Sequence, residues 1–496
     1  MDNRSCGVLM HITSLPSKYG IGTLGEEAEK FAEWLKKAGQ SYWQVLPIGP
    51  TGYGDSPYQP FSSFAGNPLL IDLDELCEQG LLSKSDCENA DFGADPNIVD
   101  YEKVTKTRSE LLHKAFANFT DDVGFTGFML EQKEWLDDYA LFMAVKNEFG
   151  GKPWTMWDDD IKFRRADAVK KYSEKLSDEI RYNKFCQYIF FRQWTRFHNF
   201  CSQKGIKIIG DIPIYVSPDS SDVWANTRLF ELDERLNPKR VAGVPPDYFS
   251  KTGQLWGNPL YDWAAMKMND YAWWTARVKK SAELFDMLRI DHFRAFDTYY
   301  AIPFGEKTAE HGNWEKGPGM SLFNVIAKEV PNADIIAEDL GDIFDSVKQL
   351  LAESGFPGMR VLQFGFNPEN ADNDHLPHNY PKNCVCYTGT HDNATFMQWY
   401  SEADLKSKAM CRKYLGKIFS IPLYEYAIRA AYASPANLTV IPMQDILGLG
   451  KKGRMNVPST LGGNWSWRMK KKALKKKHTK MLRGFAETYM RINGNA

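Results

Sequence analysis

The chain has 496 residues, 43% hydrophobic and 25% charged, which supplies a sizeable core and exceeds one minimal domain. Lys+Arg 61 against Asp+Glu 63 leaves a net charge of −2, which argues against nucleic acid or an acidic membrane surface as the main partner. The eight cysteines include no C-x-x-C pair, which argues against a zinc or redox site and for a reducing compartment. The first residues carry no apolar leader, and no run approaches membrane-spanning length. The expected location is therefore the cytoplasm, or the plastid stroma for a mature form that has lost a transit peptide.

The first strand is predicted over residues 7–11, followed by a helix over 26–38 with Ala28, Phe31, Leu35 and Ala38 at helical spacing. Between them Gly20-Ile21-Gly22-Thr23-Leu24-Gly25 matches G-x-G-x-x-G. A dinucleotide site needs a tight turn after the strand and an acid about 20 residues on. Here a long loop intervenes and Gln44-Val45-Leu46-Pro47 stands at the acid's place, so the glycines read as a loop at a barrel mouth. A second buried strand is expected over 42–47.

The pattern then becomes helical. Residues 1–71 are read as the first barrel strands, 72–204 as a helical insertion after strand 2, and 205–496 as the rest of the barrel. The insertion ends in a long helix over about 178–204. Strands resume at 206–210, 288–291, 334–338, 360–364, 383–387 and 438–441, with helices between them, as at 343–354 and 424–433. Loops and short helices are expected to fill about 218–280, with a further inserted loop at about 301–330. Eight strands interleaved with helices specify an α/β (β/α)8 TIM barrel with large, mostly helical insertions. The Lys-rich stretch 470–477 reads as the solvated face of a C-terminal helix.

Four apolar runs end in or beside a carboxylate: Asp211, Asp291, Glu338 and Asp392. Parallel barrel strands gather their catalytic groups at their C-terminal ends, so these acids should ring one pocket. Arg289 and Asp291, two apart on a strand, face the same side, and the guanidinium favours an ionised carboxylate. Such a carboxylate is a nucleophile. Its partner, Glu338, must stay protonated, which requires a raised pKa; adjacent Asp339 points the other way. Asp392, in Thr390-His391-Asp392-Asn393, is either a third acid that binds sugar hydroxyls or the N-cap of a helix at 394–400. Asp211 is a supporting acid. Aromatic residues at 14% fit either a large core or a cleft that stacks on sugar rings.

The segments Gly210-Asp211-Ile212-Pro213, Arg289-Ile290-Asp291-His292-Phe293-Arg294, Ala337-Glu338-Asp339-Leu340-Gly341 and Thr390-His391-Asp392-Asn393 resemble, in order, the four signature regions of the α-amylase superfamily. Further stretches at residues 11–22, 49–58, 245–250 and 454–458 resemble the 4-α-glucanotransferases of the amylomaltase, or disproportionating enzyme, type. The likeness runs from about residue 7 to residue 468. It implies Asp291 as nucleophile, Glu338 as general acid/base and Asp392 as transition-state stabiliser. Arg289, His391 and Asp211 would stand beside them. Tyr58, Ser56 and Asp55 would lie near the sugar cleft, and Tyr248, Phe249 and Trp256 on a loop covering the acceptor side. The implied partners are α-1,4-glucan donors and acceptors, with no metal or cofactor. An α-glucan hydrolase with the same acids, or a non-catalytic glucan-binding barrel, are the alternative readings.

Overall fold

Eight strands form the central sheet: β1 (Ser5–Leu9), β2 (Tyr42–Gln44), β3 (Lys207–Pro213), β4 (Met287–Asp291), β5 (Ile335–Ala337), β6 (Gly358–Val361), β7 (Cys384–Tyr387) and β8 (Leu438–Pro442). This is a computed structural model, and it describes residues 4–246, 250–341, 343–370, 372–417 and 421–492. The strands lie in the order β6-β7-β8-β1-β2-β3-β4-β5, and each paired neighbour is parallel. The seam between β5 and β6 has no ladder, but the Ala337 N–H donates across it to Pro357 O at 3.0 Å. The result is a nearly closed (β/α)8 barrel, as the strand–helix rhythm predicts.

Local chemistry explains the elements. The helix Glu26–Lys37 buries Ala28, Phe31, Ala32, Trp34 and Leu35 on one face. Glu26, Glu27 and Glu29 sit in its first turn and Lys36 and Lys37 in its last, each complementing the helix dipole. Gly39, at φ +70°, turns the chain into β2. The G-x-G-x-x-G loop is a packing device. A Cβ on Gly22 would collide with the carbonyl of Ile12, and one on Gly25 with the carboxylate of Asp72.

Between β2 and β3 the chain forms a series of helices ending in the 27-residue helix Ser177–Gln203. That helix returns to the barrel wall. Trp194 donates its Nε1–H to Leu284 O at 3.1 Å, and Phe197 meets Trp43 of β2 edge-on at 5.4 Å. A continuous apolar core runs from the barrel strands into the helices.

Several expected elements differ. β3 extends to Pro213, so Asp211 sits inside the strand, with Ile212 and Pro213 after it. β6 starts earlier than expected and stops at Val361; Leu362–Phe364 form a 3-10 turn instead. The regions expected as loops hold strands of a second, antiparallel sheet: Arg240–Val244, Gln254–Pro259, Thr298–Pro303 and Asn313–Lys316. Arg240–Val244 is central, paired with both Gln254–Pro259 and Thr298–Pro303. Of the Lys-rich stretch only Lys476 and Lys477 are helical, in Lys476–Thr488; Lys470 to Lys475 precede it as turn and extended chain.

The seam between the first and last barrel strands is latched from downstream. Ser5 pairs with Leu438. The buried Arg491 guanidinium donates to the carbonyls of Ser5 (2.9 Å), Tyr432 (2.8 Å) and Ser434 (3.0 Å).

Candidate active site

Arg289 organises one side of the barrel mouth. It lies on β4, opposite Asp211 on β3 in the strand register. Its Nη1 donates to Asp211 Oδ2 at 2.6 Å, and its Nη2 forms an ion pair with Asp291 Oδ1 at 2.8 Å. Its Nε faces Met359 Sδ of β6 at 3.5 Å. Tyr58 OH donates to the same Asp211 Oδ2 at 2.8 Å. Asp211 and Arg289 are buried, whereas the Asp291 side chain keeps 26% of its exposure. Burial pushes the Asp291 carboxyl up, to about 6, against the opposing charge of Arg289.

Glu338 follows β5 directly. Its Oε2 accepts the backbone N–H of His292 at 2.7 Å and its Oε1 that of Leu340 at 3.2 Å. His292 reaches this position in the left-handed region, φ 54° and ψ 48°, where a non-glycine residue is strained. Burial, and after it the charge on Asp291, pushes Glu338 up to about 8. Asp291 therefore ionises before Glu338, and between these values one is a base and the other an acid. The neighbouring Asp339 does turn away: it accepts from Met359 N at 2.6 Å and pairs with Arg360 at 3.0 Å.

Asp392 lies in the loop after β7. Its Oδ1 accepts from Asn456 Nδ2 at 2.6 Å, and its backbone carbonyl accepts from Arg454 Nη2 at 3.2 Å. His391 Nε2 is 3.2 Å from Asp392 Oδ2, but its angle makes no hydrogen bond. Burial alone would raise this carboxyl; His391, Asn456 and Arg289 outweigh it and hold it at about 2. The helix-cap reading of Asp392 fails. The helix is Phe396–Glu402, and its cap is Thr395, whose side chain accepts from Gln398 N.

The structure gathers most of the other expected residues here. The Tyr58 ring stacks on His391, centroids 5.1 Å apart and planes 13° from parallel, so it bridges Asp211 to the Asp392 side of the mouth. Ser56 Oγ accepts the Tyr58 N–H at 3.2 Å and shapes that turn. Trp256 meets His292 edge-on at 4.8 Å, which sets it beside the Glu338 contact. Asp55 is half-buried, with its carboxyl raised by burial. Tyr248 and Phe249 lie outside the described residues.

Three participants escaped the sequence reading. His292 acts through its backbone, which no side-chain motif reveals. Asn456 and Arg454 belong to the stretch 454–458 that carried the resemblance, but nothing in their spacing joined them to Asp392. Two buried polar atoms at the site, Asp211 Oδ1 and His391 Nε2, have no hydrogen-bond partner. Among the described residues no group of three or more His, Cys, Asp or Glu side chains is arranged to hold a metal ion.

Comparison with known proteins agrees with this geometry. Residues 10–475 match the family Glyco_hydro_77, described as 4-alpha-glucanotransferase. A 4-alpha-glucanotransferase of Clostridium butyricum is 49% identical over 465 residues, covering 93% of this chain and 95% of that protein. One from Streptococcus pneumoniae is 47% identical over 500 residues, covering 100% and 99%. Among solved structures, an amylomaltase from Streptococcus agalactiae in complex with acarbose superposes with a TM-score of 0.97 at 43% identity, covering 99% of this chain and 100% of that one. With eight parallel strands carrying these acids and a match over nearly all its length, the chain belongs to the Glyco_hydro_77 family of 4-alpha-glucanotransferases.

Proposed function

We propose that the protein is a retaining 4-α-glucanotransferase in which Asp291 attacks the anomeric carbon of an α-1,4-glucan. Glu338 protonates the departing oligosaccharide, and a glycosyl-enzyme intermediate forms. Glu338, now a carboxylate, takes the proton from the 4-OH of an acceptor glucan or glucose, which receives the glycosyl group. Asp392, charged at neutral pH, steadies the positive charge that develops on the ring. The observation that carries this reading is the split between the two carboxyls. Asp291 sits against Arg289, while Glu338 is buried, faces Asp291 and is pushed up to about 8.

Transfer rather than hydrolysis requires an acceptor site that holds sugar better than water. Trp256, beside His292 and hence beside the acid, supports that role, as do Tyr58 and Ser56 for the cleft. Maltotriose separates the two outcomes. Transfer releases glucose and longer oligomers at a constant count of reducing ends, and a rising count would establish a hydrolase. Product stereochemistry tests the covalent route. Inverted products by NMR would overturn it, and Asp291→Asn should abolish transfer while the circular dichroism spectrum is kept.

No described helix is long and apolar enough to cross a membrane. All eight cysteines are free, which fits a reducing compartment such as the cytoplasm or a plastid stroma.

A further inference from the structure

Nine residues separate Cys77 from Cys87, a spacing outside the C-x-x-C pattern. Cys77 lies on the helix Leu73–Glu78 and Cys87 on the helix Lys84–Glu88, and Gly80, at φ +72°, lets the chain reverse between them. The two Sγ atoms are 3.7 Å apart. A disulfide needs about 2.05 Å, so the sulfurs must close by about 1.7 Å. Cys77 is partly exposed, so its side chain is the freer of the two to turn. Among the described residues no other two cysteine sulfurs are in contact.

We infer that Cys77 and Cys87 form an oxidisable dithiol, which a small disulfide such as oxidised glutathione converts into a bond joining the two helices. The chemistry balances in two exchanges. The Cys77 thiolate attacks one sulfur of the small disulfide, whose S–S bond breaks and releases one small thiol. Cys87 then loses its proton and attacks Cys77 Sγ, releasing the second small thiol. Two protons and two electrons pass to the reagent. Burial raises both thiols, Cys87 to about 12, so the more exposed Cys77 leads and the rate climbs with pH.

The two helices are held from opposite sides. Lys84–Glu88 carries a Ser83/Asp86 capping box, and Asp86 pairs with Lys114 at 2.6 Å. Leu73–Glu78 grips the loop at the barrel mouth. Asp72 Oδ2 accepts from Thr23 Oγ1 at 2.7 Å, and Asp74 accepts from Tyr19 OH at 2.7 Å and Lys18 Nζ at 3.0 Å. A bond between the thiols would fasten that loop's anchor helix to the helix Lys84–Glu88.

The full-length protein, folded and incubated with oxidised glutathione, provides the test. After alkylation of remaining thiols and tryptic digestion, residues 38–84 and 85–103 each carry one cysteine. The expected result is a joined pair of these peptides, a free-thiol count two below eight, and reversal by dithiothreitol. Cys77→Ser should abolish the cross-link. The oxidised protein should show a raised thermal midpoint that reductant restores. Separate alkylated peptides, or oxidation that stops at a glutathione adduct on Cys77, would overturn the inference.

Discussion

Removing the Arg289 guanidinium leaves the buried Asp211 and the partly exposed Asp291 without their shared counter-charge. Breaking such a buried arrangement costs about 3–5 kcal/mol. We expect Arg289→Met to lose stability on that scale in urea denaturation, and to raise the pKa of Asp291. In the intact enzyme kcat/KM should follow a bell, with its acid limb near pH 6 for Asp291 and its alkaline limb near pH 8 for Glu338. In any Arg289 variant that still turns over, the acid limb should move upward; an unmoved limb would show that Asp291 does not set it. Stability follows pH with opposite signs at two of the acids. Asp392 is held below its unfolded value, so its contribution is present above about pH 4 and lost as the pH falls towards 2. Glu338 is held above its unfolded value, so its contribution is fully present below about pH 4.5 and lost as the pH rises through about 8. These residues were legible in the sequence because each lies at or next to the end of an apolar run. Asn456 was not, because it reaches Asp392 from 64 residues away, a contact that only the closed barrel creates.

Elements whose identity depends on local pattern were readable; those that depend on distant pairing were not. The eight barrel strands are mostly short apolar runs buried on both faces, and the helices between them set the period. The antiparallel sheet between residues 240 and 316 lacks that signature. Arg240–Val244 is short, contains Gly243, and finds Thr298–Pro303 only after 53 intervening residues. Its hydrogen bonds to Thr298–Pro303 are specified by tertiary contact. Thr395 shows the opposite case, a local signal with a local consequence. Thr395→Ala removes the cap on Phe396–Glu402 and should cost about 0.5–2 kcal/mol in thermal or urea unfolding. Activity at low temperature should persist, because Asp392 is held by Asn456 and Arg454 and not by the cap.

At the scale of the whole molecule, the helices between β2 and β3 share one apolar core with the barrel. Trp194, fully buried, joins the two through its packing and its bond to Leu284 O. Trp194→Ala should cost about 3–5 kcal/mol, and barrel and insertion should still melt together in calorimetry. Two resolved transitions would show that the insertion is an independent unit. The Arg491 latch has a consequence in time. A ribosome delivers β1 first and Arg491 hundreds of residues later, yet that side chain supplies donors to the carbonyls of Ser5, Tyr432 and Ser434. Until it arrives, the Ser5 carbonyl lacks its guanidinium donor, and the Tyr432 and Ser434 carbonyls have only Arg4. A side chain made hundreds of residues later thus completes the surroundings of β1, and the Ser5 carbonyl must wait for residue 491.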